Sequence, residues 1–424
     1  MPKLDIPKAY EASRVEDAIY KKWEESGFFN PENLPGSRKK SFSIAMPPPN
    51  ATGILHVGHA VMLAIQDIAT RFQRMRGKRT LWLPGTDHAA IATQTVVEKI
   101  IAKEGKTRQG MGREKFLERV NEFVKNSQNA IHEQMRKMGA SCDWSRERYT
   151  LDDGLSKAVS EAFVRMYNDD LIYRGYRIVN WCPRCGSTLA DDEVEHTPSK
   201  SKLYWIKYGP FILATVRPET KLGDTAVAVH PDDARYQKYV GKKFKIPGVL
   251  GEFEVVVVAD KVVDPKFGSG IIKVTPAHDF TDYDIAQRHK IPIKQVIDKQ
   301  GKMMANCGKY AGMTTKECRE AIVEDMKKMG LIEKIEDYKN NIAVCYRCGT
   351  LIEPIPSEQW FISVDKPTKV LGGKSLKEKA IEVVKKNEIA IVPDRFKKTY
   401  FQWMENLHDW CISRQIWFGH RIPV

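Results

Sequence analysis

The stretch from Ser41 to Phe72 limits what this chain can fold into more than any other. Ser41–Met46 alternates polar and apolar residues and reads as a strand, and Ala60–Phe72 repeats its apolar residues at helical spacing. Between them runs Pro47-Pro48-Pro49-Asn50-Ala51-Thr52-Gly53-Ile54-Leu55-His56-Val57-Gly58-His59. A strand, a glycine-containing turn and a helix start make an anion site, because the free N–H groups and positive dipole end of the helix both favour negative charge. His56 and His59 are three apart, so they share one face of a helical turn and can donate to the same phosphate. Gly58 between them lets a phosphate or a flat base approach the backbone. The competing reading of His-Val-Gly-His alone is polar surface at a helix start.

The 424 residues are enough for more than one domain. With 42% hydrophobic and 29% charged residues the composition is that of a globular protein, and no run approaches a membrane span. Met1-Pro2-Lys3-Leu4-Asp5 lacks the apolar core of a signal peptide, so a cytoplasmic location and no membrane partner are expected. A net charge of +14, densest in 99–137 and 366–386, points to a polyanionic partner such as nucleic acid.

Four of the eight cysteines form two matching turns, Cys182-Pro-Arg-Cys185-Gly186 and Cys345-Tyr-Arg-Cys348-Gly349. Two such turns in a reducing compartment read as a tetrahedral zinc site, with redox pairs or structural thiols as the alternatives. Residues 186–344 are too many for a small finger and fit a whole domain inserted between the two knuckles. Residues 41–140 alternate strand and helix in the manner of a doubly wound α/β fold: Ser41–Met46, Val57–Met75, Arg79–Leu83 and Ile91–Lys103. Short β-rich runs punctuated by Gly and Pro dominate from about Ala190 to Asn340. Past Cys348 an α/β texture returns, with a helix over Ser375–Lys386 and a strand over Ile389–Val392. The expected organisation is an N-terminal extension (1–40), the first part of a catalytic domain with one knuckle (41–189), an inserted domain (190–340), and the second knuckle with a return to the catalytic domain (341–424).

Leu83-Pro84-Gly85-Thr86-Asp87-His88-Ala89 lies at the carboxyl end of the second strand, where α/β sheets place ligands. Asp87 can accept from an ammonium group there, and Thr86 or Asp87 can equally cap the next helix. Lys273 and Thr275, two apart, share a face if their run is a strand.

Taken together, these segments resemble the class I aminoacyl-tRNA synthetase family. His56-Val57-Gly58-His59 is similar to its first ATP signature. The Pro-Pro-Pro-Asn lead-in, Pro84-Gly85-Thr86-Asp87-His88-Ala89, Asp143-Trp144-Ser145-Arg146 and Asn180-Trp181-Cys182-Pro183 resemble its valyl branch, over nearly the whole chain. The resemblance implies a Rossmann-like catalytic domain, first half only, with a large β-rich editing insert. It implies ATP at Asn50, Thr52, His56, Gly58 and His59, with Mg²⁺ assisting, and valine at Pro48, Pro49 and Asp87, the last on its ammonium. Trp410–Pro423 is similar to a strand that carries two successive tryptophans against the amino-acid side chain; here they are Trp417 and Phe418, for which plain core packing is the alternative.

The resemblance further implies an editing pocket. Thr215 and Arg217 line it, Lys273 and Thr275 contact the misacylated adenosine end, Asp279 holds the threonyl ammonium, and Asp282 recognises the threonine hydroxyl. Such a pocket has a physical reason. A hydrophobic site cannot strongly reject an isostere that adds a hydroxyl, and valine against threonine is the standing example. The family's second ATP signature, Lys-Met-Ser-Lys-Ser, does not occur in these residues. The expected function is therefore ligation of valine to tRNA(Val) with editing of threonyl-tRNA(Val), the remaining C-terminal half supplied in cis or in trans. The alternatives are a fragment acting only as a threonyl-tRNA deacylase, or a non-catalytic tRNA-binding half of a split enzyme.

Overall fold

The computed structural model describes residues 9–424, so the start of the expected N-terminal extension lies outside the described residues. They form two compact units, one with the residues up to Val164 together with Ile416–Val424, the other with Arg165–Gln415.

Unit one runs α1 (Ala12–Glu25), β1 (Ser41–Ala45), α2 (Val57–Met75), β2 (Arg79–Leu83), β3 (Gly85–Thr86), α3 (Ala90–Lys103), α4 (Arg108–Met111), α5 (Arg113–Lys137), β4 (Arg148–Tyr149) and α6 (Asp153–Asn168), which ends inside unit two. β1 and β2 pair in parallel, Ser41 opposite Arg79 through Ala45 opposite Leu83. α2 is the crossover that parallel neighbours require. Leu63 of α2 packs with Met46, Trp82, Ile131 and Met135. Gln66 accepts the indole N–H of the buried Trp82 at 2.9 Å, satisfying a donor that burial would otherwise strand. α3, α5 and the returning C-terminal segment share a second core of Val97, Ile101, Phe116, Val120 and Phe418. Asp143 opens a short 3₁₀ turn, Trp144–Arg146, and the Trp144 indole donates to Tyr20 of α1 at 2.8 Å.

Unit two continues with β5 (Ile172–Cys182), β6 (Ser187–Leu189), β7 (Val194–Tyr208), β8 (Phe211–Thr215), β9 (Ala226–Val229), β10 (Lys243–Ile246), β11 (Phe253–Ala259), β12 (Ile271–Val274), α7 (Phe280–His289), α8 (Thr315–Lys328), β13 (Ile332–Cys345), β14 (Glu353–Ile362), α9 (Leu376–Lys385), α10 (Lys397–Glu405) and β15 (Trp410–Cys411). Its sheets have the strand orders β10-β11-β9-β12, β13-β7-β8 and β15-β14-β5-β6. β7 and β13 form a long antiparallel ribbon, Val194 opposite Cys345 and Ile206 opposite Ile332. β5 and β14 pair antiparallel over Ile172–Trp181 and Glu353–Ile362.

Two local expectations are corrected. Ile389–Val392 is not a strand: the chain there runs through turns, with Ile389 and Val392 exposed and no neighbouring strand to take their hydrogen bonds. An apolar run without a pairing partner gains nothing from extension. Trp410–Pro423 is a strand only at Trp410–Cys411. Beyond it, side chains replace the ladder: Gln415 N–H donates to Ser187 Oγ, and Trp417 N–H to Gln94 Oε1.

Candidate functional site

The first cluster lies in unit one. His56 is the N-cap of α2, and its Nδ1 accepts from Gly58 N at 3.1 Å. His59 Nδ1 accepts from His56 N at 3.2 Å, so each ring satisfies a backbone donor through Nδ1 and keeps Nε2 for a ligand. The rings lie 3.9 Å apart, and burial, then the neighbouring His56, lowers the pKa of His59. Gly58 has a reason absent from the sequence argument: a Cβ there would sit 2.9 Å from the His56 ring.

Pro49 and Asn50 run beside Asp87. Asp87 N donates to Pro49 O and Ala51 N to Asp87 O, both at 2.8 Å. Two segments distant in sequence thereby become one wall carrying Pro48, Pro49, Asn50, Thr52 and Asp87. Asp87 does not cap α3 as the sequence allowed; the N-cap is Ala89, in the left-handed region at φ 47°. Its Oδ1 instead accepts from Ala89 N and from Thr150 Oγ1, each at 2.9 Å. His88, whose Nδ1 lies 3.3 Å away, together with these donors holds Asp87 down at about 2, an anion suited to an ammonium partner. Phe418 is buried in the second core with its ring edge-on to His88 at 5.9 Å, and Trp417 packs against Phe116 at 5.6 Å under the Arg108 guanidinium. Thr150 and Gln94 escape sequence reasoning because no local pattern marks them, and His88, though inside the Pro84–Ala89 segment, has no role there until the fold sets it against Asp87.

The second cluster lies in unit two. The Lys273 ammonium contacts Thr275 Oγ1, Thr220 Oγ1 at 2.8 Å and Asp224 at 3.3 Å. Asp224 also accepts from Thr275 and from Tyr208 OH. Thr275 N donates to Asp282 at 2.8 Å, and Asp279, the N-cap of α7, accepts from Asp282 N at 3.0 Å. Burial, then the charge of Asp279, pushes the Asp282 carboxyl up to about 7. Thr215 Oγ1 accepts from Arg217 N at 3.1 Å. Arg217 pairs with Glu353 at 2.6 Å and with Glu219, which Arg319 also grips with two hydrogen bonds. Removing one partner of such a buried network costs roughly 3–5 kcal/mol by stranding a charge. Arg217 and Asp279 line a cleft of about 970 Å³ with His278, Phe280, Lys316 and Arg319, while Thr275 and Asp282 are buried. Sequence reasoning missed Asp224, Glu219 and Glu353: Glu219 and Asp224 lie within a few residues of Arg217 but carry no pattern of their own, and Glu353 reaches Arg217 only through the fold.

His278 is structural. Its Nε2 accepts from Val296 N at 3.0 Å, Nδ1 faces Pro354 O, and burial lowers its pKa to about 3. The four knuckle sulfurs, Cys182, Cys185, Cys345 and Cys348, lie within 4.8 Å of one another. Tetrahedral zinc with Zn–S bonds of about 2.3 Å sets its sulfurs ~3.8 Å apart, so the cluster has the donor set and the spacing for zinc.

A profile of the family described as "tRNA synthetases class I (I, L, M and V)" matches residues 18–424. The chain belongs to this class I tRNA synthetase family, whose mixed α/β fold it shares. It is 50% identical to the valine–tRNA ligase of Thermotoga maritima, over 99% of this chain and 48% of that protein. Against the Carboxydothermus hydrogenoformans valine–tRNA ligase the identity is 51%, over 99% of this chain and 47% of that protein. The chain thus spans about half the length of the curated relatives it matches. Among the described residues no helix is long and apolar enough to cross a membrane.

Lys221 was not anticipated by any motif. Its Nζ is buried without a hydrogen-bond partner, 3.7 Å from the centre of the Tyr208 ring and 4.8 Å from that of Phe253. Burial lowers its pKa from 10.5 to about 7. Below about 7 the native state buries a cation; as pH rises from about 7 towards 10.5 the native amine is neutral while the unfolded lysine still binds a proton, so stability climbs. Lys221→Met is expected to be more stable than the wild type at about pH 6, by a margin that shrinks towards about pH 10. Urea midpoints at the two pH values check this, and an equal margin at both counts against a buried titrating amine.

Proposed function

We propose that this chain supplies the ATP-binding, valine-binding and editing parts of a valine–tRNA ligase. The observation that carries the reading is half-identity to valine–tRNA ligases along 99% of the chain. The geometry is consistent with it. Valine's ammonium meets the anionic Asp87 beside Pro48, Pro49 and Asn50, with Trp417 and Phe418 backing the side-chain end. The ATP phosphates lie at the start of α2 against His56, Gly58 and His59, beside Thr52. The valine carboxylate attacks the α-phosphate in line, giving valyl-adenylate and pyrophosphate, and the acyl group then passes to the terminal ribose of tRNA(Val). Positioning and stabilisation of developing charge supply most of the acceleration. Mg²⁺ bound with ATP would supply charge neutralisation at its phosphates. The part of the relatives that this chain does not span is needed for the complete reaction.

In the same reading, residues 190–340 are the editing insert between catalytic segments 41–189 and 341–424, with 1–40 an extension. Threonyl ester enters the cleft along Thr215 and Arg217. Lys273 and Thr275 hold the adenosine end, Asp279 takes the ammonium, and Asp282 takes the hydroxyl that valine lacks. The four knuckle cysteines hold structural zinc.

Three measurements test this. In a fusion of this chain to the unmatched portion of the Thermotoga maritima relative, His56→Ala or His59→Ala should slow ATP–pyrophosphate exchange roughly a hundredfold; undiminished exchange in both would sink the assignment. Hydrolysis of threonyl-tRNA(Val) by the same fusion should rise as Asp282 ionises through about 7, and Lys273→Ala should slow it. Asp282→Asn should flatten that step, and retention of it would remove Asp282 from the role. The purified chain should carry one zinc, released in Cys345→Ser with a fall in melting temperature; wild type without metal would refute the zinc site.

A further inference from the structure

Glu353 and Pro354 open β14, outside the residues 190–340 proposed as the editing insert, yet both reach the wall of its cleft. The Glu353 carboxylate accepts from Arg217 Nη2 at 2.6 Å, and Pro354 O lies 3.1 Å from His278 Nδ1. His278 Nε2 already accepts from Val296 N, so the one proton of its neutral ring is on Nδ1 and goes to Pro354. The preceding residue, Ile352, is buried with Cys182, Cys185 and Cys345, which gives the start of β14 a fixed mount.

Arg217 has three nitrogens from which to donate. Nε goes to Glu219 at 3.0 Å and Nη2 to Glu353, and both carboxylates are buried, at 0% and 2% exposed. Glu219 cannot swing with the arginine, because Arg319 grips it through two further hydrogen bonds. Nη1 has no protein acceptor among the described residues, while the side chain is 25% exposed and lines the cleft. A planar guanidinium fixed at two of its nitrogens has its third one aimed as well. Without Glu353, one carboxylate would be shared between two cations, Arg217 and Arg319, and only Nε of Arg217 would stay fixed.

We propose that Glu353 is a positioning residue for the editing reaction: it fixes the Arg217 guanidinium so that Nη1 presents one oriented donor to an oxygen of the threonyl ester. The inference rests on the editing reading for its substrate, and it brings into that reaction a residue from outside the insert. Glu353 acts only through Arg217. A donor of this kind strengthens its hold as the ester carbonyl gains negative charge, so its loss shows in turnover more than in binding.

The test uses the fusion of this chain to the unmatched portion of the Thermotoga maritima relative. Glu353→Gln keeps the shape and an acceptor oxygen but removes the charge. It should lower kcat for threonyl-tRNA(Val) hydrolysis about tenfold and move KM by less than about twofold. Glu353→Asp, which keeps the charge, should recover part of the loss. On an Arg217→Gln background, where no charge is left stranded, Glu353→Gln should cost nothing further. Valine-dependent ATP–pyrophosphate exchange should stay at the wild-type level in Glu353→Gln. An unchanged kcat, a loss that adds in full to that of Arg217→Gln, or a parallel loss of exchange that marks Glu353 as merely structural would each overturn the proposal. In the isolated chain, phenylglyoxal should modify Arg217 several-fold faster in Glu353→Gln than in wild type, read by peptide mass; equal rates would mean that the guanidinium is not pinned and overturn it too. A wild-type fusion that hydrolyses no threonyl-tRNA(Val) would instead remove the editing reading, and the modification rates would still decide whether Glu353 holds Arg217.

Discussion

The antiparallel ribbon of β7 and β13 is the constraint on which unit two depends. The chain leaves along Val194–Tyr208 and returns along Ile332–Cys345, so the residues between begin and end on one two-stranded stem. Cys182 ends β5 and Cys185 follows it in the turn to β6, while Cys345 ends β13 of the stem and Cys348 follows in the turn before β14. Four thiols so far apart in sequence cannot find one another by local structure. They meet because two antiparallel registers, above and below, leave them no other place. The first residue of β14, Glu353, meets Arg217 and closes the ion-pair network at the edge of the cleft.

Unit one solves a comparable problem with two backbone hydrogen bonds. Pro49 and Ala51 clasp Asp87 at 2.8 Å on either side. A proline-rich segment has few donors of its own, so it is fixed by one accepting carbonyl, Pro49 O, and one donating amide, Ala51 N. The result holds Pro49–Ala51 against an aspartate kept ionised by His88, Ala89 and Thr150. The negative charge is in place before any ligand arrives.

Much of this was legible along the chain. The strand–turn–helix from Ser41 to Met75 follows from alternation giving way to helical spacing, and the structure places it within a residue or two. The pairing of His56 with His59 follows from i, i+3 geometry, and the knuckles from their repeated Cys-x-Arg-Cys-Gly. Ile389–Val392 shows the limit: an apolar run states a capacity for strand, and only a neighbour with free N–H and C=O groups realises it. Asp87 shows another, since a carboxylate two residues before a helix cap looks like the cap itself until the backbone turns left-handed at Ala89.

The sequence by itself determined the local chemistry: which side chains share the turn at the start of α2, which thiols can hold a metal, and which segments alternate at two or at three to four residues. Those properties depend on side-chain type and on spacing within one element. Only the tertiary structure decided that Lys273, Thr275, Asp224 and Asp282 form one buried network, that Lys221 lies unpartnered against two rings, and that Glu353 meets Arg217. Each of these depends on burial and on partners brought from distant segments, and burial is a property of the packed molecule that no stretch of sequence carries alone.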